Sequence, residues 1–476
     1  MDFMFDDDSM QRSAVLHELL GSSCRMAQKR RKIIEDKQPR RGRRDALGEE
    51  KWRIPIPENV WDELLRPERY DEGSWDGRRF RSIYGVPAVM FDELVHEARA
   101  LCGKAYHGDG RRGSFSKPVE LKVAAVLEMC QSGLTFKTAS RLYQIHESVL
   151  CGFFHEYMQM QVVLEYPKHV YIPTNPLEVK HILSMHANMG FPGAITMVDG
   201  TKVEWLGCPY ADEFSHTGKE GYPTKLFLVS GDARKIVHHV SGSHPGARND
   251  LTAAHYDQYL LGLKDGTLFP NDTFQLYDDG QNKVAHTGLW AITDNGFHMW
   301  RCTQFPSKVA SETWMLRWSK RMESVRKPGT ECIYGILKKR FRILALPISF
   351  RETHKVDNLF RFLVSLHNRL QRHYGLDSIG SDRSDWKKAA LSLDIERIRA
   401  PTPGIPHLVN HTAVGNLTEA EFEASWSGFR AHLVTHFRIA WQRSEILWPK
   451  TACECRPNFR NDPGVRRGPN DRDMDL

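Results

Sequence analysis

The chain has no Cys-x-x-Cys pair among its nine cysteines, and its one close pair, Cys453 and Cys455, lies in a polar segment. This spacing gives little support to a zinc ribbon or a disulfide framework, so we expect a reducing compartment. The sequence also lacks the run of about 18 apolar residues that a membrane-spanning helix needs. Asp6, Asp7 and Asp8 stand where a secretory signal peptide would carry positive charge, so we do not expect secretion.

The length and composition of the chain are typical of a soluble globular protein with two or three structural units. The chain has 476 residues, of which 41% are hydrophobic and 26% are charged. Its formal charge is +7, and residues 29–44 hold two clusters of lysine and arginine opposed only by Glu35 and Asp36. We interpret residues 1–50 as a basic, disordered arm that directs nuclear import or binds nucleic acid. A solvated tail without such a role is the alternative.

A helical region is predicted between residues 78 and 160. Leu94 and Ala98 belong to an apolar face with a period of 3.6 residues. A second helix is predicted from Pro118 until Gly133 stops it, and further short helices follow. Short helices with tight turns resemble a helix-turn-helix unit that contacts DNA. A bundle that only packs or dimerises is the alternative.

From about residue 194 the hydrophobic pattern changes to one that is typical of an α/β domain. Short apolar runs suited to strands are followed by helical segments, which predicts an α/β fold with a mixed sheet and flanking helices. The predicted strands are 194–198, 225–230, 235–240 and 289–293, and the predicted helices are 250–261, 311–325, 331–343 and 355–375. A C-terminal helical extension is predicted at 376–449, followed by a polar tail at 450–476.

Two aspartates hold equivalent positions after predicted strands. Asp199 and Asp294 each follow an apolar run and have a glycine within two residues. If the two strands are neighbours, both carboxylates lie at the sheet edge where α/β proteins bind ligands. Asp-Gly is also a turn signal, so either aspartate alone is explained by a turn. Asp250 competes with Asp294 but is explained by helix capping, and the competing pair Asp278 and Asp279 lies in a predicted loop.

A glutamate and a basic cluster on the next helix could complete this site. Helical spacing from Glu331 places Lys338 and Arg342 on the same face. We predict that these two residues, with Lys339 and Arg340, contact DNA phosphates. The alternative is a salt-bridge stripe on a solvated helix.

Three acidic side chains from two strand ends and one helix suit phosphodiester cleavage. That reaction needs an activated water or hydroxyl and a stabilised leaving oxygen, which two divalent ions about 4 Å apart provide. Carboxylate oxygens are the ligands that Mg²⁺ or Mn²⁺ prefers. We therefore predict that Asp199, Asp294 and Glu331 bind the metal. The histidines of the third strand region could suggest another metal site, although structural roles explain them better; they are His238, His239 and His244.

Five segments, in order, resemble those of Harbinger-type DDE transposases. They are 198–204 (VDGTKVE), 245–250 (PGARND), 292–298 (ITDNGFH), 323–344 and 366–370 (LHNRL). The resemblance implies an RNase H-like core at 190–375 and a nuclear, metal-dependent endonuclease that cuts and rejoins transposon ends. It also implies that the catalytic residues are Asp199, Asp294 and Glu331. A separate Myb-like protein would supply much of the end recognition, and self-association of the chain is left open.

Two departures from the family pattern keep another function open. The family usually has tyrosine where this chain has Phe297, and Pro328 and Gly329 interrupt the segment before Glu331. Pro328 predicts the end of one helix, and Thr330 predicts the cap of a new one. Glu323 is then a second candidate for the catalytic glutamate. A domesticated relative that keeps the fold and DNA binding but has lost catalysis is the alternative function.

Overall fold

The computed structural model describes residues 66–103, 117–307, 311–376 and 419–446, together with Val60, Glu63 and Leu64. The predicted arm at 1–50, the tail at 450–476 and the start of the C-terminal extension lie outside these residues. The chain divides into two compact units. The first contains the residues up to Pro167 with Arg340–Leu346 and Asn358–Phe362; the second contains Lys168–Lys339, Pro347–Asp357 and the residues from Leu363 onward.

Short helices with well-defined ends build the first unit. They are α1 (Trp75–Tyr84), α2 (Ala88–Leu101), α3 (Val119–Ser132), α4 (Phe136–Tyr143) and α5 (Glu147–Met160), and the chain continues through a π-helical turn (Gln161–Glu165) into α6 (Tyr166–His169). Gly133 ends α3 in the left-handed conformation, with φ 72°. The side chain of Thr135 then caps α4 by accepting a hydrogen bond from the backbone N–H of Thr138 at 3.2 Å. The predicted stop at Gly133 is confirmed.

Aromatic packing holds the first helices together. The rings of Phe80 and Tyr84 lie 4.7 Å apart, and Phe91 meets Phe80 edge-on at 5.4 Å. The predicted apolar face of α2 is buried, including Leu94 and Ala98. Burial of a leucine or phenylalanine side chain such as Leu94 or Phe91 contributes roughly 1.5–3 kcal/mol to the free energy of unfolding. The unit is thus a helical bundle, and its contact with DNA stays a prediction.

A mixed sheet lies at the centre of the second unit. The strands of the chain are β1 (Ala194–Glu204), β2 (Thr224–Gly231), β3 (Val237–Val240), β4 (His244–Pro245), β5 (Thr273–Tyr277), β6 (Lys283–Thr287), β7 (Trp290–Ile292) and β8 (Thr303–Gln304). The sheet order is β3-β2-β1-β7-β8, with β4 paired to β2, while β5 and β6 form a separate hairpin. The pairs β1–β2 and β2–β3 are antiparallel, whereas β1–β7 and β7–β8 are parallel. The predicted α/β fold with a mixed sheet is confirmed.

The helices that follow the first unit in the chain are α7 (Pro176–Asn188), α8 (Glu213–His216), α9 (Asp250–Ala254), α10 (Gln258–Lys264), α11 (Thr313–Gly329), α12 (Glu331–Arg340), α13 (Thr353–His373) and α14 (Glu419–Gln442). Five of them share one hydrophobic core with the sheet, namely α7, α9, α10, α11 and α14. Phe191 contacts three elements of this core. Its ring lies 6.4 Å from Trp290 on β7, 6.3 Å from Trp318 on α11 and 6.5 Å from Phe437 on α14. All four rings are buried. Within the described ranges, no helix has both the length and the apolar character needed to cross a membrane.

The first predicted strand and the first predicted helix of the α/β region differ from the observed elements for physical reasons. The first strand does not end at Asp199, because β1 continues to Glu204 and pairs with β2 throughout. The predicted helix at 250–261 is two helices. Its break lies before Asp257, whose side chain caps α10 by accepting from the backbone N–H of Leu260 at 2.9 Å. An internal cap of this kind restarts a helix even when the apolar pattern continues.

A buried ion cluster fixes the turn between β2 and β3. Asp232 is fully buried and accepts hydrogen bonds from Arg234 Nε at 2.7 Å and from the Arg234 backbone N–H at 2.8 Å. His238 Nε2 lies 3.0 Å from the same carboxylate, and Glu178 lies 3.6 Å from the guanidinium of Arg234. Burial alone would raise the pKa of Asp232, but the charges of Arg234 and His238 hold it well below its ordinary value.

Removing the charge of Asp232 should destabilise the second unit. Asp232→Asn removes the nearest negative charge from the buried Arg234, so we expect a loss of about 3–5 kcal/mol in the free energy of unfolding at pH 7. Because the pKa of Asp232 is lowered by folding, its contribution is present above the unfolded pKa of about 3.9 and is lost as the pH falls through the lower folded value. Urea unfolding at several pH values measures both effects.

Asp279→Asn is the matched control for this prediction. Asp279 also pairs with an arginine at 3.0 Å, Arg438, but its side chain is 85% exposed. Exposed pairs contribute about 0–1 kcal/mol, so this variant should unfold almost as the wild type does. An Asp232→Asn protein as stable as the control would contradict the prediction.

Candidate active site

The parallel pairing of β1 with β7 places two aspartates at one edge of the sheet. Met197 lies opposite Ile292 in this register, and Asp199 and Asp294 each follow two residues later. The two strands are therefore neighbours, as the sequence hypothesis required. Asp199 is largely buried, with 14% of its side chain exposed, and Asp294 is partly buried.

A third aspartate, Asp250, lies at the same edge. Its assignment as a helix cap is wrong, because Asn249 caps α9 by accepting from the backbone N–H of Thr252 at 2.8 Å. A Cβ at Gly200 would overlap the Asp250 carboxylate, and one at Gly296 would lie 3.0 Å from Asp294 Oδ1 and 3.5 Å from Asp250 Oδ2. The two glycines thus serve close approach of carboxylates to the backbone, and the Asp-Gly at 199–200 is not a turn.

The other two competing aspartates are held elsewhere. Asp278 lies in the turn between β5 and β6 and accepts a hydrogen bond from the backbone N–H of Asn282 at 2.7 Å. Asp279 pairs with Arg438 on α14. These contacts explain both residues structurally, so the structure removes them from the set of candidates at this edge.

The electrostatics of the edge reflect burial and like charges. Burial is the main cause that raises the pKa of Asp199 to about 6; Arg326 opposes the shift, while Asp294 and Asp250 add to it. The pKa of Asp250 is also raised, first by burial and then by Asp294, and Lys202 opposes it. Perturbed carboxylates of this kind are typical of functional sites, although structural ion pairs also produce them.

Helix α12, which carries Glu331, and the preceding helix α11 both contact β1. Helix α11 ends at Gly329, one residue after Pro328, and α12 begins at Glu331, so the predicted break before Glu331 is confirmed with its end shifted by one residue. A Cβ at Gly329 would overlap the sulfur of Met197, which explains why glycine suits this position. Thr330 is the C-cap of α11, and its hydroxyl donates to the backbone oxygen of Arg326 at 3.1 Å. On α12, the Tyr334 hydroxyl donates to the backbone oxygen of Asp199 at 2.6 Å.

Arg326, which the sequence hypothesis did not include, joins the acidic residues. Its Nη1 donates to Asp199 Oδ2 at 3.0 Å, and its Nη2 donates to Glu331 Oε1 at 3.1 Å. Glu323 accepts from Nε and Nη2, both at 3.2 Å. The i,i+3 spacing of Glu323 and Arg326 predicts their ion pair, but helical spacing does not indicate that Arg326 would contact Asp199 or Glu331.

The predicted residues therefore meet, but not as one carboxylate cluster. Asp199, Asp250 and Asp294 interact directly, whereas Glu331 reaches Asp199 through Arg326. Among the residues that the structure describes, no three His, Cys, Asp or Glu side chains are grouped so that they could hold a metal ion. The donor set is chemically suited to Mg²⁺ or Mn²⁺, and the guanidinium supplies the positive charge between Asp199 and Glu331.

The predicted phosphate contacts lie on two elements. Lys338 and Lys339 are exposed on α12, and Lys338 Nζ lies 3.5 Å from the backbone oxygen of Lys202. The helix ends at the half-buried Arg340, so the helical spacing assumed for Arg342 is wrong; Arg342 is exposed and begins the 3₁₀ segment Arg342–Ala345. Phosphate binding by these four residues stays a prediction.

Phe297 accounts for one departure from the expected pattern. The side chain is 3% exposed and belongs to the hydrophobic core beneath the Asp294 loop. A tyrosine hydroxyl in that position would need a buried hydrogen-bond partner. The phenylalanine therefore fits the packing of this chain.

Comparison with known families supports a transposase-related protein. Residues 169–374 match the family model described as plant transposon protein. The match covers less than half of the chain and includes Asp199, Asp250, Asp294, Arg326 and Glu331. No curated protein matches the chain, and no solved structure does.

Neutralising Asp199 should stabilise the fold in chelator-treated buffer. Folding raises the pKa of Asp199 from an ordinary value of 3.8 to about 6, so ionising it costs more in the folded protein than in the unfolded chain. The cost is absent below pH 4 and complete above pH 6. Asp199→Asn should therefore raise the free energy of unfolding by about 1–3 kcal/mol at pH 8.

Chemical unfolding at pH 8 and at pH 4 measures this difference. The gain should vanish at pH 4, where Asp199 is largely protonated in the folded wild type. Asp265→Asn, at an exposed position of the same unit, should show no comparable gain at either pH. A variant that is less stable than the wild type at pH 8 would contradict the stated balance of burial and ion pairing.

Proposed function

We propose that the chain is a Harbinger-type DDE transposase, a metal-dependent endonuclease that cuts transposon-end DNA and joins it to a target. The observation that carries the proposal is the parallel β1–β7 pairing, which delivers Asp199 and Asp294 to one edge beside Glu331. The match of residues 169–374 to plant transposon proteins supports the same reaction class.

The wider biological setting is part of this proposal. An RNase H-like core is supported by the mixed five-strand order with its parallel β1–β7–β8 half. Action on chromosomal DNA requires a nuclear location, for which the basic segment at 29–44 is the candidate signal. A separate Myb-like protein would recognise the transposon ends, and the chain could act as a homo-oligomer.

Carboxylate oxygens would supply the chemistry of the site. Asp199, Asp294 and Glu331 would hold Mg²⁺ or Mn²⁺, which when bound activates an attacking water or hydroxyl and stabilises the leaving oxygen. Asp250 increases the negative potential that attracts cations to this edge. Tyr334 fixes the backbone of Asp199 through its 2.6 Å hydrogen bond, so the carboxylate starts from a defined position.

Exposed lysines next to the carboxylates would hold the substrate. Lys338 and Lys339 lie about two helical turns from Glu331 on α12, and Lys338 extends toward the backbone of Lys202. Contacts from such side chains to phosphates orient the DNA without reading its sequence. Arg340 and Arg342 are proposed to add phosphate contacts.

A catalytically inactive, domesticated DNA-binding protein is the second candidate. The observation that favours it is the double engagement of Arg326, which neutralises Asp199 and Glu331 together. In such a protein the ion pairs would be permanent structural contacts. DNA binding would then be retained without strand cleavage.

Replacing either strand-end aspartate separates these functions. Asp199→Asn and Asp294→Asn keep the size of the side chain but remove a metal-binding charge, so nicking of end DNA should fall by about 10²–10³-fold, as when one preorganised charge-stabilising group is lost. The assay uses the element's end DNA with Mg²⁺ or Mn²⁺ and a candidate Myb-like partner. DNA affinity should change little.

Asp278→Asn is the control, because Asp278 is an acidic residue held in the β5–β6 turn. Its nicking rate should equal that of the wild type. Wild-type cleavage by Asp199→Asn would reject the endonuclease site. Wild-type protein that binds end DNA but never nicks it would favour the domesticated binder.

The proposed phosphate contacts predict a salt dependence. The logarithm of the DNA-binding constant should fall linearly with the logarithm of salt concentration, by about 0.9 per neutralised phosphate. Changing both Lys338 and Lys339 to Gln should reduce that slope by nearly 2 if each contacts one phosphate. Fluorescence anisotropy across a salt series gives the slopes.

Lys180→Gln is the control for the loss of positive charge alone. Lys180 is exposed on α7, away from the segment that carries Glu331. Its variant should keep the wild-type slope. Equal slopes for the double variant and the wild type would show that Lys338 and Lys339 do not contact phosphates.

A further inference from the structure

One guanidinium is surrounded by three carboxylates beside the proposed catalytic edge. Arg326 pairs with Asp199 at 3.0 Å, with Glu331 at 3.1 Å and with Glu323 at 3.2 Å. Only 8% of its side chain is exposed, against 49% for Glu331. An ion pair this well buried and this highly connected is a constraint on the site and not a passing surface contact.

The backbone that carries Arg326 is held firmly. Val325, the preceding residue, is buried in the core of the second unit. The backbone oxygen of Arg326 accepts from the backbone N–H of Thr330 at 2.9 Å and from its hydroxyl at 3.1 Å. The guanidinium can therefore change partners by rotation of its own side chain, with the backbone left in place.

The contacts of the guanidinium use oxygens that a divalent cation would need. Its Nη1 faces Asp199 Oδ2 and its Nη2 faces Glu331 Oε1. A cation shared by Asp199 and Glu331 would have to approach between the same two carboxylates. Like charges at that separation repel each other strongly in a partly buried setting, so the two cations compete.

Glu323 offers the guanidinium a second position. It accepts from both Nε and Nη2, whereas Asp199 accepts only from Nη1. A rotation that releases Asp199 and Glu331 can therefore leave Arg326 paired with Glu323. Lys327 also pairs with Glu323, at 3.4 Å, but has no ion pair to Asp199 or Glu331 among the described contacts.

We propose that Arg326 is a positioning residue that holds Asp199 and Glu331 together and must rotate toward Glu323 before they bind a divalent cation. The side chain thus competes with the metal and sets its affinity. This inference rests on the proposed function, because it assumes that Asp199 and Glu331 bind the metal. It adds to that function a residue of the chain itself that regulates the affinity of the site for the metal.

Direct measurement of Mn²⁺ binding tests the competition without an activity assay. The full chain without DNA is titrated with Mn²⁺, and free Mn²⁺ is followed by electron paramagnetic resonance. Arg326→Gln should lower the Kd by about tenfold, within the usual range for coupling between two binding events. Lys327→Gln removes the neighbouring positive charge and should leave the Kd within about twofold of the wild-type value.

A double-variant comparison isolates the role of Glu323. Among the described residues, Arg326 without Glu323 keeps Asp199 and Glu331 as its carboxylate partners, so Glu323→Gln should weaken Mn²⁺ binding. The same change made in Arg326→Gln should have no effect, because the competitor is gone. A loss of affinity in both backgrounds would instead identify Glu323 as a metal ligand and overturn this part of the inference.

Further outcomes separate the inference from the proposed function. Equal Mn²⁺ affinity in folded wild type and Arg326→Gln would overturn the inference and leave the metal site intact. No binding by either protein would overturn both proposals. Adding Asp199→Asn to Arg326→Gln should abolish the gain, and a persistent gain would place the ion elsewhere and reject the inference.

Arg326→Lys guards against a folding defect in the glutamine variant. Lysine keeps the charge but has a single ammonium group in place of the planar guanidinium fork, so it cannot engage Asp199 and Glu331 in the same two-pronged way. Its Kd for Mn²⁺ should lie between those of wild type and Arg326→Gln. Thermal unfolding of each variant establishes that folded proteins are compared, and a Kd for Arg326→Lys above the wild-type value would contradict the competition.

Discussion

The parallel pairing of β1 with β7 is the constraint on which the site depends. It brings together two segments almost a hundred residues apart in sequence, and its register sets Asp199 beside Asp294. Glycine at 200 leaves room for the close approach of Asp250, since a Cβ there would overlap the Asp250 carboxylate. Loss of this pairing would separate the strand-end aspartates while leaving each local motif unchanged. The two aspartates therefore form one site only because the sheet pairs their strands.

Charge balance at that edge explains why Arg326 belongs to the site. Burial and neighbouring aspartates raise the pKa of Asp199 to about 6, and the guanidinium of Arg326 opposes this shift. Several carboxylates gathered in a partly buried place need a compensating cation, and α11 supplies one from its last turn. This arrangement is compatible with both proposed functions. In an enzyme a metal ion would replace the guanidinium of Arg326, and in a DNA-binding protein the guanidinium would stay paired with the carboxylates.

Much of the fold was predictable, because the second unit follows ordinary strand and helix periods. The strand-end positions of Asp199 and Asp294 followed from apolar runs, and the order of five motifs indicated the protein class that the family match supports. Predictions from local sequence were wrong where contacts between distant residues determined the structure. Gly200 lies within β1, and the approach of Asp250, not a turn, explains why it has no side chain. Spacing along a helix could not show that Arg326 would pair with Asp199.

Location of bound Mn²⁺ is the most direct test of the central claim that this edge is a metal-dependent active site. Crystals of the full chain with end DNA and Mn²⁺ would be examined by anomalous diffraction. The account places a manganese ion within about 2.0–2.6 Å of carboxylate oxygens from both Asp199 and Asp294, the range for hard cations on oxygen ligands. Manganese bound only at other residues, with Asp199 still paired to Arg326 beside the DNA, would contradict it.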